Sequence, residues 1–211
     1  MRHRPPDGVL DELLASRFGP VAGVDEVGRG ALAGPLFVAA VVLDRARLPV
    51  GLDDSKLLSP ARRQRLARQV RDTAVAWSVA QCSVEEIDSM GIVAATRTAM
   101  ARAVNALSPP PACVVCDALA PTTLAVPVFA EIRADGRYQC VAAASILAKV
   151  ARDELMVQLA KRYPAFGWDR NKGYGTGEHL EALRCLGPSP LHRRSFAPVR
   201  VLALNSGRAT G

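Results

Sequence analysis

The chain has 211 residues, 49% of them hydrophobic and 22% charged, with 27 Lys and Arg against 20 Asp and Glu for a formal net charge of +7. That balance supplies a core for one domain and excludes a disordered polymer. Residues 30–43, an uncharged stretch that no other exceeds, fall short of the roughly 20 apolar residues a bilayer span needs and Asp11 and Glu12 interrupt any apolar signal segment behind the basic N-terminus, so the expectation is a cytoplasmic protein whose basic excess suits a polyanionic partner.

Taken in chain order, apolar runs bounded by turn residues predict strands at 21–25 and 37–43. Ser59-Pro60 then opens a helix carrying Arg62, Arg63, Arg65, Arg68 and Arg71. A strand at 74–82 leads into Ser83-Val84-Glu85-Glu86, which has the form of a capping box. A crossover helix over 92–107 carries Val93, Met100, Val104 and Leu107 and is closed by Ser108 and three prolines. The next strand, 112–116, contains Cys113 and Cys116, which strand geometry points to opposite faces. No second such pair or nearby His completes a zinc set, and five cysteines in a chain of this size read as reduced thiols. A fifth strand is expected at 126–132.

A long helix over 142–163 places Ile146, Val150 and Val157 on one line and stops before Pro164. A shorter helix at 178–186 is stopped by Gly187 and Pro188. This order predicts an α/β layer on a mixed sheet, hairpins first and crossovers later. We divide the chain into an N-terminal extension (1–18), a main domain (19–163), a small helical lobe (164–204) and a frayed tail (205–211). Besides the arginines of 62–71, basic residues gather at Lys149, Arg152, Lys161 and Arg162 and at His192-Arg193-Arg194, three clusters that a fold could bring along one groove.

The chemistry concentrates where the first strand runs into Asp25-Glu26 and then Gly28-Arg29-Gly30. Carboxylates at the end of a buried strand need compensation, by a divalent cation or by an Arg such as Arg29. A second apolar strand also ends in an acid, Asp117, and two strands delivering carboxylates from their ends form a pattern suited to hard metal ions. Adjacent strand side chains point to opposite faces, so Asp25 and Glu26 need a bend to meet at one point, and Asp25 is the expected bridging ligand. Glycines at 28, 30 and 34 miss the dinucleotide-loop spacing. No Gly-x-Ser-x-Gly elbow is present, and the scattered His179 and His192 suit structural or phosphate contacts better than a base.

Gly23-Val-Asp-Glu-Val-Gly-Arg-Gly30, Gly34-Pro35, Asp54-Ser-Lys56, Ala144-Ser-Ile-Leu-Ala-Lys149, Lys172-Gly-Tyr-Gly-Thr176 and His192-Arg-Arg-Ser-Phe196 occur in that order, and the ordered set resembles bacterial ribonuclease HII from about residue 20 to 199. The resemblance implies a ribonuclease H-like fold with a central mixed five-stranded sheet flanked by helices, plus a small helical C-terminal region. It also implies metal-dependent hydrolysis of the RNA strand of RNA/DNA hybrids and incision on the 5′ side of ribonucleotides embedded in duplex DNA, giving 3′-hydroxyl and 5′-phosphate ends.

Carried over by position, the resemblance makes Asp25, Glu26, Asp117 and Asp135 the catalytic, metal-holding acids, with two Mg²⁺ or Mn²⁺ ions during catalysis. Arg133-Ala134 stands where the family has Lys-Gly before its fourth acid, and Ala118-Leu119 where it often has Gly-Asn after the third. Asp153, on the apolar line of the long helix, is the competing fourth carboxylate. By the same resemblance Gly28, Arg29 and Gly30 contact the 2′-hydroxyl, Tyr174 packs on the neighbouring deoxyribose, and Lys56, Ser145, Lys149 and Lys172 lie near the phosphate backbone. The expected protein is a monomer with no clamp-binding peptide visible in 199–211. Two alternatives stay open: a noncatalytic nucleic-acid-binding module, or a less specific metal-dependent nuclease, on the same scaffold.

Overall fold

The computed structural model describes residues 5–121 and 124–206. Five strands, β1 (Val21–Val27), β2 (Leu36–Val42), β3 (Ala76–Cys82), β4 (Cys113–Asp117) and β5 (Val128–Glu131), form one mixed sheet in the order β3-β2-β1-β4-β5. The β1–β2 and β2–β3 pairs are antiparallel, and the β1–β4 and β4–β5 pairs are parallel. The helices are α1 (Val9–Phe18), α2 (Pro60–Thr73), α3 (Val84–Met90), α4 (Ile92–Asn105), α5 (Gln139–Arg162), α6 (Trp168–Asn171), α7 (Gly177–Leu186) and α8 (Ala197–Ser206). This is the expected mixed α/β architecture. α8 includes residues 205–206 of the expected tail, while 207–211, also part of the segment searched for a clamp-binding peptide, and 1–4 of the N-terminal extension lie outside the described residues.

The helix starts follow local chemistry. Ser59 Oγ accepts the Arg62 N–H with Pro60 in the first turn, and Ser83 and Glu86 exchange the two bonds of a capping box at α3. α5 has no side-chain cap of its own, and Asp11 of α1 supplies it by accepting the Gln139 and Cys140 N–H groups, each at 2.9 Å. The sequence reading placed no helix at 9–18. α1 has no fully buried residue, and its short stripe of Leu10, Leu14, Ala15 and Phe18 packs half-buried on the core around Val21 and Val141.

Two layers cover the sheet. Ala22, Val24, Val38, Ala40, Val114 and Cys116 pack on Ala99, Met100 and Ala103 of α4. On the other face Ala39 and Val41 meet Leu66 and Val70 of α2 and Ile146 and Leu147 of α5, while Val21, Cys113 and Val115 meet Val141. Cys113 and Cys116 thus enter opposite layers, and all five cysteines are free.

Gly23 fixes how closely α5 lies on β1. A Cβ there would sit 2.1 Å from the carbonyl carbon of Cys140 and 2.3 Å from the Val141 nitrogen, so only a residue without a side chain admits the helix. With α5 so placed, residues 21, 23 and 25 of β1 face that helix and 22, 24 and 26 face α4.

Farther along, α5 leaves the sheet and its Met156 and Ala160 join Leu32, Ala33, Phe166, Trp168, Leu183 and Val199 in a second small core. Its buried line shifts accordingly. Arg152 and Met156 have no exposed surface, whereas Val157 is 40% exposed, so the line expected through Val150, Asp153 and Val157 turns outward.

Gly23→Val should destabilise the protein by more than about 3 kcal/mol, because neither the β1 backbone nor the first turn of α5 can yield by the required distance. Urea unfolding midpoints at unchanged m-value check this, and a loss under about 1 kcal/mol contradicts the close-approach account.

Candidate active site

The parallel pairing of β1 with β4 aligns Val24 with Cys116, so both strands deliver their terminal acids, Asp25 and Asp117, at the same sheet edge. Asp25 is 8% exposed, accepts the Glu26 N–H at 2.8 Å and faces Ser145 of α5, which is itself bonded to the buried Ser55 at 2.9 Å. Glu26 points to the other side of the strand, towards Asp117 and Arg29, whose guanidinium lies 3.5 Å away. Arg29 therefore pairs with Glu26 and leaves Asp25 without a cationic partner among the described residues. β1 stays regular through Val27, so the two adjacent acids approach the edge from opposite faces with no bend.

Asp117 Oδ1 accepts the N–H groups of Arg133, at 2.7 Å, and Ala134, at 3.3 Å. Those bonds anchor the short 3₁₀ turn Ala134–Gly136, which buries Asp135 beside the cluster. Arg133 is held at φ +61°, a left-handed conformation available at a cost to a non-glycine residue. The fourth acid thus reaches the site from a turn braced by the third.

Burial is the main cause of an unusual charge state. It pushes Asp25 well above the usual 3.8, with Glu26 and Asp135 adding repulsion. Desolvation also raises Glu26, where Arg29 opposes it and Asp117 reinforces it, and raises Asp135, where Asp54 reinforces it. Lys56, with its side chain 78% exposed, hangs over the cluster 3.7 Å from Asp135 and 4.0 Å from Asp54. Partial burial acts to lower its pKa, but Asp54, Asp135, Asp25 and Asp117 outweigh that and raise it.

Among the described residues no three acid, His or Cys side chains are already gathered into a finished metal cage. The donors nevertheless fit a hard divalent ion. All are carboxylate oxygens, and Glu26 Oε2 is buried without any hydrogen-bond partner, an expensive condition that a cation would relieve.

The Gly28-Arg29-Gly30 turn lies beside these acids. Gly28 has φ +87°, and a Cβ on it would come within 2.1 Å of Arg152 Nε, so the turn rests on that guanidinium. Arg152 is fully buried and donates from Nε to Pro35 O at 3.0 Å, from Nη1 to Lys172 O at 2.9 Å and from Nη2 to Ala33 O at 3.1 Å, while lying 5.4 Å from the Tyr174 ring centroid. Arg193, also fully buried, donates twice to Gly34 O, at 2.9 and 3.0 Å, and to Arg29 O at 3.0 Å. Of the three basic clusters, Arg152 and Arg193 are therefore internal braces rather than groove linings. Spacing alone concealed this, because it shows that an Arg lies on a helix but not which carbonyls surround it.

Asp153, the competing fourth acid, bonds Lys149 at 2.7 Å. Both line a groove of about 620 Å³ between α2, α5 and α6, together with Arg63, Arg170 and Lys172. Asp153 is outside the acid cluster because its stretch of α5 has turned away from the sheet. Lys149 and Lys172 share that groove, Lys172 Nζ bonding Asp169 O, whereas Lys56 lies over the acids. Asp54 and Ser55, absent from the expected catalytic set, enter the cluster because Arg63 of α2 holds their loop through bonds to Ser55 O and Leu58 O.

A mixed sheet with acids at the ends of its central parallel strands, crossed by a helix that supports the first of them, defines a metal-dependent nuclease of ribonuclease H-like fold. The family model described as Ribonuclease HII matches residues 22–199, and the chain belongs to the ribonuclease HII family of endoribonucleases. It is 51% identical over 196 residues to Ribonuclease HII of Ruegeria sp. (strain TM1040), covering 92% of this chain and 85% of that relative. Its structure is similar to that of ribonuclease H2 from Pyrococcus horikoshii OT3, with a TM-score of 0.75 and 29% identity over 88% of this chain and 97% of that one. Bst-RNase HIII in complex with Mn²⁺ shares the fold at a TM-score of 0.68 and 21% identity, over 93% and 73% of the two chains.

Because Asp25 has its folded pKa raised, the stability it contributes is complete below the unfolded value and is lost as pH rises through the folded one. Asp25→Asn should therefore stabilise the metal-free protein at neutral pH by about 1 kcal/mol, or roughly 2–4 °C in Tm. The gap from wild type should widen with rising pH and narrow when Mn²⁺ is added. Thermal melts of both proteins from pH 5 to 8, with and without Mn²⁺, decide it; a variant less stable than wild type throughout refutes the repulsion account.

Proposed function

We propose that the chain hydrolyses the RNA strand of RNA/DNA hybrids and incises duplex DNA on the 5′ side of an embedded ribonucleotide, leaving 3′-hydroxyl and 5′-phosphate ends. The observation that carries this reading is the desolvated acid cluster, with its partnerless Glu26 oxygen, lying directly against a Gly-Arg-Gly turn whose Arg29 and Gly30 are exposed.

Asp25, Glu26, Asp117 and Asp135 are the residues that would hold Mg²⁺ or Mn²⁺, two ions during catalysis, which supply water activation and charge neutralisation at the scissile phosphate and the leaving 3′-oxygen. The protein's own groups prepare that chemistry. Ser145, anchored on Ser55, orients Asp25, and Asp117 braces the turn that carries Asp135. Lys56 brings an ammonium to the mouth of the cluster, where a phosphate diester would meet it. His179 and His192 are buried and bonded to one another, so they do not supply a base to this site.

Discrimination requires contact with the 2′-hydroxyl, the group that distinguishes RNA from DNA at one sugar. Gly30 is exposed, with nothing within 4 Å of where its Cβ would be, so a ribose can approach the backbone there, while Gly28 is buried on Arg152 and sets the turn; Arg29 keeps its guanidinium 42% exposed beside Glu26. Tyr174, half-buried over Arg152, offers a ring to the adjoining deoxyribose, and Lys149 and Lys172 offer charge to the phosphates beyond it.

A labelled duplex with one ribonucleotide should be cut once, 5′ of the ribonucleotide, only with divalent metal, and an all-DNA duplex should stay intact. Asp25→Asn and Asp117→Asn should each lower kcat/KM at least about 100-fold, roughly 3 kcal/mol of transition-state stabilisation, while Asp153→Asn should change it less than about 10-fold. Cutting of all-DNA duplex at a comparable rate would point instead to a general nuclease, and duplex binding without scission to a binding module.

A further inference from the structure

Three rings fully enclosed behind the Tyr174 loop form a hydrogen-bonded unit that the chemistry above does not use: His179 of α7, His192 and Trp168 of α6. His179 Nδ1 lies 2.9 Å from Tyr174 O, a carbonyl that also accepts the Thr176 N–H at 2.8 Å. An acceptor on that side requires the proton on Nδ1 and leaves Nε2 as a lone pair. Onto that lone pair converge Trp168 Nε1–H at 3.1 Å and His192 Nε2 at 3.0 Å. His192 is set from its far side: its Nδ1 accepts the Ser189 N–H at 2.9 Å, so its proton sits on Nε2 and is donated to His179. Each nitrogen of the pair thus has one consistent role, and a second proton on either ring would set two donors face to face. Burial pushes His192 down to about 4, with repulsion from His179 adding to it, and burial likewise lowers His179, in keeping with two neutral rings.

The pair ties together the loops that frame the Gly28–Gly30 turn. Residues 32–34 run between two neighbouring segments. On one side Leu32 N–H donates to Gly173 O at 2.8 Å, and on the other Arg193 N–H donates to Leu32 O at 2.8 Å, with Ala33 bridged to His192. The His179–His192 bond closes this assembly from behind, linking the Tyr174 segment to the segment whose Arg193 grips Arg29 O.

We propose that His179 and His192 are positioning residues which hold Tyr174 at a set distance from the Gly28–Gly30 turn and thereby determine recognition of the ribonucleotide–deoxyribonucleotide junction without touching the substrate. This rests on the proposed function for its readout in activity, but its structural core can be tested separately.

On a duplex with one ribonucleotide, His179→Phe, which keeps a ring and removes its bonds to Tyr174, Trp168 and His192, should raise KM about 10-fold with kcat within about twofold. His179→Asn, whose amide N–H can reach Tyr174 O but which cannot bond His192, should recover part of that loss, leaving KM about threefold above wild type. Adding His179→Phe to Tyr174→Ala should produce no further loss, because both act through the same contact. In parallel, amide hydrogen exchange at 172–176 should quicken at least about 10-fold in His179→Phe and by a clearly smaller factor in His179→Asn, which keeps only the Tyr174 bond. Unchanged KM and unchanged exchange in His179→Phe overturn the proposal, as does equal loss in the Phe and Asn variants when both melt like wild type. If His179→Phe does not fold, His192→Asn, which keeps an acceptor for Ser189 and removes the ring–ring bond, takes its place, and unchanged exchange there overturns the proposal. A wild-type protein that cuts no ribonucleotide duplex defeats the proposed function instead, and the exchange measurements still decide the role of the pair.

Discussion

Two buried guanidinium groups, with no carboxylate in ion-pair contact among the described residues, hold the loops around the candidate site in place. Arg152 and Arg193 spend their donors on main-chain carbonyls of Arg29, Ala33, Gly34, Pro35 and Lys172. These loops lack regular secondary structure, so their carbonyls need partners from elsewhere once water is excluded. A planar fork with five donors can serve several such carbonyls at once, which a lysine ammonium cannot do with the same geometry. Desolvation and the nearness of Arg152 push Arg193 down to about 9, against the opposing charge of Asp88, so at neutral pH it stays a cation whose guanidinium nitrogens all donate to carbonyl dipoles. The space the guanidiniums and Met156 occupy dictates the sequence around them. Gly28 and Gly34 have positive φ, and a Cβ on either would strike Arg152 Nε or Met156 Sδ.

The acid cluster has the opposite sign and the opposite incompleteness. Its carboxylates are desolvated and repel one another, Lys56 balances them only from outside, and Glu26 Oε2 has no partner. A fold selected for stability alone would replace such a group with an amide or an apolar side chain. A divalent ion held there, as proposed above, would offset that cost, and the unfavourable metal-free state would increase the free energy available for binding it. On that proposal, stability and activity are set against each other at Asp25. The burial of that carboxylate follows from Gly23, which lets α5 and Ser145 lie against the strand.

Much of this was legible in the residue order, because the controlling features are local. Strand periodicity located all five strands, Ser59-Pro60 and Ser83-x-x-Glu86 marked helix starts through their own side chains, and the acids of β1 and β4 stood at the ends of apolar runs. What escaped depended on contacts between distant segments. Asp11 reveals its purpose only when α5 presents its uncapped N–H groups, 128 residues away in sequence. Asp153 and Val157 continue an apolar line as far as periodicity can tell, but α5 changes its support from the sheet to the second core midway, and that change rotates Arg152 inward and Asp153 outward.

The same limit explains why the histidines looked scattered. His179 and His192 are 13 residues apart, at no metal-ligand or catalytic spacing, and nothing in either neighbourhood shows that their rings meet. Their consistent donor and acceptor roles follow from two main-chain groups, the Tyr174 carbonyl and the Ser189 N–H, that every sequence possesses and no sequence displays. The molecule thus separates two tasks physically. Side chains at the sheet edge carry the charge that chemistry requires, while neutral rings and carbonyl-bound guanidiniums, buried where charge is costly, set the distances over which that chemistry operates. A substitution among the acids should change how fast the bond breaks. A substitution among the rings should change how tightly the substrate is held beside those acids.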